Sequence, residues 1–146
     1  MKVIITCLFL FVFSFFEMVS AQETDKVVLK SEPHKINNSF LKDFFYEVHK
    51  GSPYEYDRER ERIYLEQLSR IEIIPIPYVE NNNLKNLSSI DKMNKYNTSL
   101  SFDISNFDPV KFNFIKYSFN FYSTSDQFIR VDNQDYIIHI LPYTNN

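Results

Sequence analysis

The sequence predicts an α+β domain: two N-terminal helices packed on an antiparallel sheet of four to five strands, ending in a C-terminal three-stranded meander. Three observations carry this. Apolar residues recur at helical spacing from Phe40 to Val48. A helix-start signal follows at Ser52-Pro53-Tyr54-Glu55. From Ser99 onward the pattern switches to period two, the signature of strands.

Ser39 is in place to cap the first helix. Phe40, Leu41, Phe44, Phe45 and Val48 then line one face at three- and four-residue spacings. Gly51, the single glycine, stands just past the last turn, where a left-handed residue is wanted and no Cβ interferes. Ser at the N-cap, Pro at N1 and Glu at N3 read as a capping box and predict a second helix over residues 53–70. Its run Asp57-Arg58-Glu59-Arg60-Glu61-Arg62 reads as a solvated face, because opposite charges stand three and four apart. Tyr64, Leu68 and Ile71, with Ile63 and Leu65 beside them, supply the side expected to be buried.

Residues 71–79 must be extended. Pro75 and Pro77 push the residue before each of them out of the helical region, and proline suits an edge strand. Asn81-Asn82-Asn83 reads as a turn. In residues 99–105, Leu100, Phe102 and Ile104 alternate with polar neighbours, predicting a half-buried strand. Ile115, Tyr117, Phe119 and Phe121 line one face of the next expected strand. Residues 127–131 and 136–141 flank Asp132-Asn133-Gln134-Asp135, where Asn and Asp stand in for glycine in a hairpin turn. Residues 136–141 are apolar on both faces except at His139. That strand is therefore expected to be central and to pair also with 99–105 or 71–79.

The start of the chain reads as an address. Lys2 precedes a fourteen-residue apolar run over 3–16, and Val19-Ser20-Ala21 ends in small residues, so cleavage is expected between Ala21 and Gln22. A membrane span needs about 20 apolar residues. The expected organisation is a cleaved secretory signal peptide over 1–21, a polar leader over 22–38 and a single domain over 39–146. The expected location is periplasmic or extracellular, with no membrane span after signal removal. Cys7, the only cysteine, falls within the signal, so the mature chain has none and forms no disulfide. A domain of this length can bury about two-thirds of its surface without one.

Composition excludes much chemistry. One glycine cannot build a phosphate loop, a dinucleotide fingerprint or a nucleophile elbow. A serine triad must draw on His34, His49 or His139, and only His139 lies inside a strongly patterned element. No two histidines share metal-ligand spacing. A calcium loop begun at Asp132 would place Ile137 and Tyr143 where Gly and Glu belong. No metal and no cofactor are expected. The net charge of −3 is too small to suggest nucleic acid.

Eight aromatics fall between Phe102 and Tyr122, more than one alternating strand face can bury. Phe112, Phe114 and Tyr122 lie off that face and are the expected exposed binding residues. The expected function is an exported, non-enzymatic domain that binds a protein or a cell-envelope polymer through this region. The alternative is a small secreted hydrolase using carboxylates around Asp103 and Asp108, with His139. Asn-x-Ser/Thr sequons stand at Asn37, Asn86 and Asn97, no more than this asparagine-rich composition produces by chance.

Overall fold

A computed structural model describes residues 32–75 and 84–144. Among the described residues the fold is mixed α+β, with two α-helices and one four-stranded sheet. The expected cleavage point at Ala21 and Gln22, the second half of the 71–79 strand and the Asn81–Asn83 turn lie outside the described residues.

Helix α1 is Leu41–Val48, entered through a 3-10 turn at Asn38–Phe40. Asn37, rather than Ser39, caps this entry: its side-chain oxygen accepts from the Ser39 amide at 2.9 Å. The predicted stripe is buried, with Leu41, Phe44, Phe45 and Val48 all in the core. Gly51 takes φ +81°, as the helix stop requires. The folded part begins before Ser39, because His34 bridges Ile73 through two backbone hydrogen bonds and Ile36 is buried. The end of the expected leader is therefore part of the domain.

Helix α2 is Arg58–Ser69, so it starts later than the 52–55 signal predicts. The Ser52 hydroxyl accepts only from the Tyr54 amide, closing a local turn. The effective cap is Asp57, whose Oδ1 accepts from Arg60 N at 2.8 Å while Oδ2 meets the Arg60 guanidinium at 2.7 Å. A carboxylate braced by its own helix, beside the positive helix end, outcompetes a neutral serine for the start. Three of the expected ion pairs form: Asp57–Arg60, Glu59–Arg62 and Glu66–Arg70. The apolar side is narrower than expected. Leu68 is buried and Tyr64 packs on the core, whereas Ile63 and Leu65 are 38 % and 40 % exposed.

The strands are β1 Ile71–Pro75, β2 Lys85–Asn86, β3 Gln127–Arg130 and β4 Tyr136–Ile140, in the order β1-β4-β3-β2. As the double-sided apolar pattern predicts, β4 is central and pairs antiparallel with β1 on one side and β3 on the other. The sheet is mixed rather than antiparallel, because β2 runs parallel to β3. Asp132 fixes that edge: its carboxylate accepts from the Ser88 amide and hydroxyl at 2.8 and 2.6 Å. Asn133, at φ 54°, turns the β3–β4 hairpin. Ile71, Ile73, Ile129, Ile138 and Ile140 join the α1 residues in one hydrophobic core.

Neither expected strand between residue 99 and residue 121 forms, so there is no three-stranded meander. The alternating polar residues of 97–105 capture the backbone instead. Asn97 accepts from Ser99 N, Ser101 from Asp103 N, and Asp103 from Ser105 N. Each is a side-chain turn spanning two residues, so the same period-two spacing produces successive turns. Asn113 does likewise for Ile115 N and opens a 3-10 turn at Phe114–Lys116. Phe119 N then bonds Tyr117 O and Phe121 N bonds Phe119 O, a succession of three-residue turns.

Candidate functional site

This irregular segment and α1 enclose a cleft of about 310 Å³. Phe102, Phe107, Phe112 and Tyr117 provide its aromatic surface, and Glu47, Asp103, Asp108, Lys111 and Lys116 its charged groups. The aromatic surface is continuous. Phe107 packs on Phe112 at 5.4 Å between ring centroids, Phe112 stacks on Tyr117 at 5.8 Å, and Phe102 meets Tyr117 edge-on at 5.8 Å. Phe102 and Phe107 are partly exposed, whereas Phe112 is buried.

One wall is rigidly built. Lys116 Nζ lies 2.6 Å from Glu47 Oε1 and donates to the Ser101 carbonyl at 3.1 Å. The Asn113 amide donates to Glu47 Oε2 at 2.9 Å and to the Phe44 carbonyl at 3.1 Å. The opposite rim is set by turns. Asp108 accepts from Val110 N at 2.9 Å and caps the 3-10 turn at Pro109–Lys111. Asp103 accepts from the Ser105 amide, and hydrogen bonds from Ser105 hold its carboxyl below the usual range. Burial, aided by the charge of Asp132, pushes the Tyr117 hydroxyl up to about 12, so it stays a neutral phenol.

The three residues expected to form an exposed patch are not brought together. Phe114 is 1 % exposed and packs against Tyr64 and Phe121, well inside the core. Phe112 is a base of the cleft rather than an exposed ring. The reason is the missing strand: a chain that turns every few residues presents no alternating outer face. Tyr122 is 81 % exposed, but it packs against Tyr143 and does not line the cleft. The residues that sequence reasoning missed are Phe102 and Phe107. Their signal was the repeated Phe-Asp pair, Phe102-Asp103 and Phe107-Asp108, in which each carboxylate fixes a turn beside its ring.

His139 belongs to a different cluster. The register aligns it with Glu72 on β1 and Phe128 on β3. Its Nε2 lies 2.6 Å from Asp126 Oδ1, its Nδ1 lies 3.4 Å from Glu72 Oε2, and its ring stacks on Phe128 at 4.4 Å. The imidazole thus joins three strands of the sheet through its partners and is absent from the cleft lining.

Among the described residues, no group of three or more His, Cys, Asp or Glu is placed to hold a metal ion. Among them also, no helix is long and apolar enough to cross a membrane. No family model, curated protein or solved structure matches this chain.

Proposed function

We propose that the chain is an exported, non-enzymatic binding module, and that it holds a segment of a protein or a cell-envelope polymer in the Phe102–Phe107 cleft. The observation that supports this most is the pairing of partly exposed aromatic rings with a rim of fixed charges in one concavity. Aromatic rings supply contact area at small entropic cost, and turn-anchored carboxylates add orientation without having to be ordered on binding. Export is supported by the apolar run over 3–16 with its small-residue exit at Ala21.

The hydrolase alternative has less support. A glycosidase acid must hold its proton near neutral pH, so its pKa must be raised. Asp103 is shifted the other way by the Ser105 hydrogen bonds. His139 is engaged with Asp126 and Glu72 rather than with the cleft carboxylates.

Co-sedimentation with insoluble envelope material of the producing cell, alongside pull-down of its soluble exported proteins, tests the reading. Phe102→Leu and Phe107→Leu remove the rings while keeping apolar volume, and together should weaken capture at least about tenfold, the equivalent of 1.4 kcal/mol. Tyr122→Ala should leave capture unchanged. Equal capture by all variants, with thermal melts showing each folded, would overturn the cleft as the site. Release of soluble product from polymer or ester substrates by the wild type would favour the hydrolase.

A further inference from the structure

We infer that Tyr54 and Tyr96 form a built-in site for an oxidative dityrosine cross-link. Their hydroxyls share a hydrogen bond of 3.3 Å, and their rings meet edge-to-face with centroids 5.4 Å apart. Of the three tyrosine–tyrosine ring pairs among the described residues, this is the closest. Tyr122–Tyr143 stand at 6.0 Å and Tyr46–Tyr56 at 6.4 Å. Tyr54 is 43 % exposed and Tyr96 is partly exposed, so both rings are open to solvent.

The surroundings hold the pair together. The Arg60 guanidinium lies 5.2 Å from the Tyr54 ring centre and Lys95 Nζ lies 5.2 Å from that of Tyr96. The His49 ring meets both rings. The shared hydrogen bond also separates the two phenols, holding Tyr96 below and Tyr54 above the ordinary range.

The oxidant is hydrogen peroxide used by a haem peroxidase. Each phenol loses one electron and one proton, and the two phenoxyl radicals couple at the ring carbons ortho to their hydroxyls. The hydrogen on each coupled carbon then moves as a proton to the ring oxygen, which restores both hydroxyls and both aromatic rings. Across the whole reaction two tyrosines and one peroxide give one carbon–carbon bond and two waters. The link joins the corner between α1 and α2 to the segment that carries Tyr96. A chain with Cys7 as its only cysteine cannot make an internal disulfide, so this pair is where a covalent staple is available.

The test is treatment of the dilute purified protein with horseradish peroxidase and hydrogen peroxide, read by dityrosine fluorescence and peptide mass spectrometry. The expected result is an intramolecular peptide pair joining residues 54 and 96, lighter by two hydrogens, in a monomer with a raised Tm. Tyr54→Phe and Tyr96→Phe should each abolish that peptide, while Tyr122→Phe should leave it. The inference is overturned if the wild type yields only dimers, only links through Tyr122, or no 54–96 peptide while other tyrosines react.

Discussion

Lys116 Nζ lies 2.6 Å from Glu47 Oε1, across the seam between α1 and the turn at Phe114–Lys116. With Asn113 on the second carboxylate oxygen, this contact fixes one wall of the cleft. The two partners differ in burial. Asn113 is 6 % exposed and also receives the Ile115 amide, so Asn113→Ala strands a buried donor. It should destabilise by about 1–3 kcal/mol. The Glu47 side chain is 43 % exposed and that of Lys116 18 %, so solvent screens the ion pair in part, and Lys116→Met, which also removes the hydrogen bond to the Ser101 carbonyl, should cost about 1 kcal/mol. Urea unfolding of both variants checks the order.

The start of α2 separates two candidate caps. Asp57→Ala should cost about 0.5–2 kcal/mol, because it frees the Arg60 amide at a helix end. Ser52→Ala should change stability by less than about 0.5 kcal/mol, since its hydroxyl only closes a surface turn. Thermal melts of the two variants decide this, and the reverse order would restore the capping box at Ser52.

Tyr117 predicts an alkaline limit. Its hydroxyl is pushed up to about 12 by burial, whereas an unfolded tyrosine titrates near about 10. Folding thus favours the protonated form. That contribution is complete below about pH 10 and is lost as pH rises towards 12. Stability followed by circular dichroism over this window should fall more steeply in the wild type than in Tyr117→Phe.

Glu72 predicts the opposite limit. Its carboxyl is held below the ordinary range, first by the hydrogen bond from Lys35 at 2.8 Å, against partial burial, and then by the charges of Lys35 and His139. A depressed carboxyl stabilises the fold above its unfolded pKa, about 4.3, and loses that contribution as pH falls through the folded value. The stability gap between wild type and Lys35→Met should therefore hold steady from neutral pH down to about 5 and close below about 4. A gap independent of pH would show that Lys35 acts through packing alone.

Much of the frame was legible because local chemistry and tertiary packing agree there. Phe44, Phe45 and Val48 bury the face that their spacing predicts, Gly51 takes the left-handed turn, and residues 136–140 are the central strand. The cleft was not legible because period two has two physical meanings. In a strand, apolar and polar side chains alternate between a covered and an open face. In residues 97–105 the alternating Asn, Ser and Asp reach forward to backbone amides and make turns. With no strand face to sort them, Phe112 and Phe114 are buried while Phe102 and Phe107 stay partly exposed.

The most direct measurement of the central claim is site-specific photo-crosslinking in the producing cell, with a benzophenone side chain at position 107 or position 122. A partner held in the cleft predicts an adduct from position 107 that is lost when Phe102→Leu is added and is competed by excess purified protein. It predicts no such saturable adduct from position 122. An adduct from position 122 alone, or one from position 107 indifferent to Phe102→Leu, would contradict the cleft as the binding site.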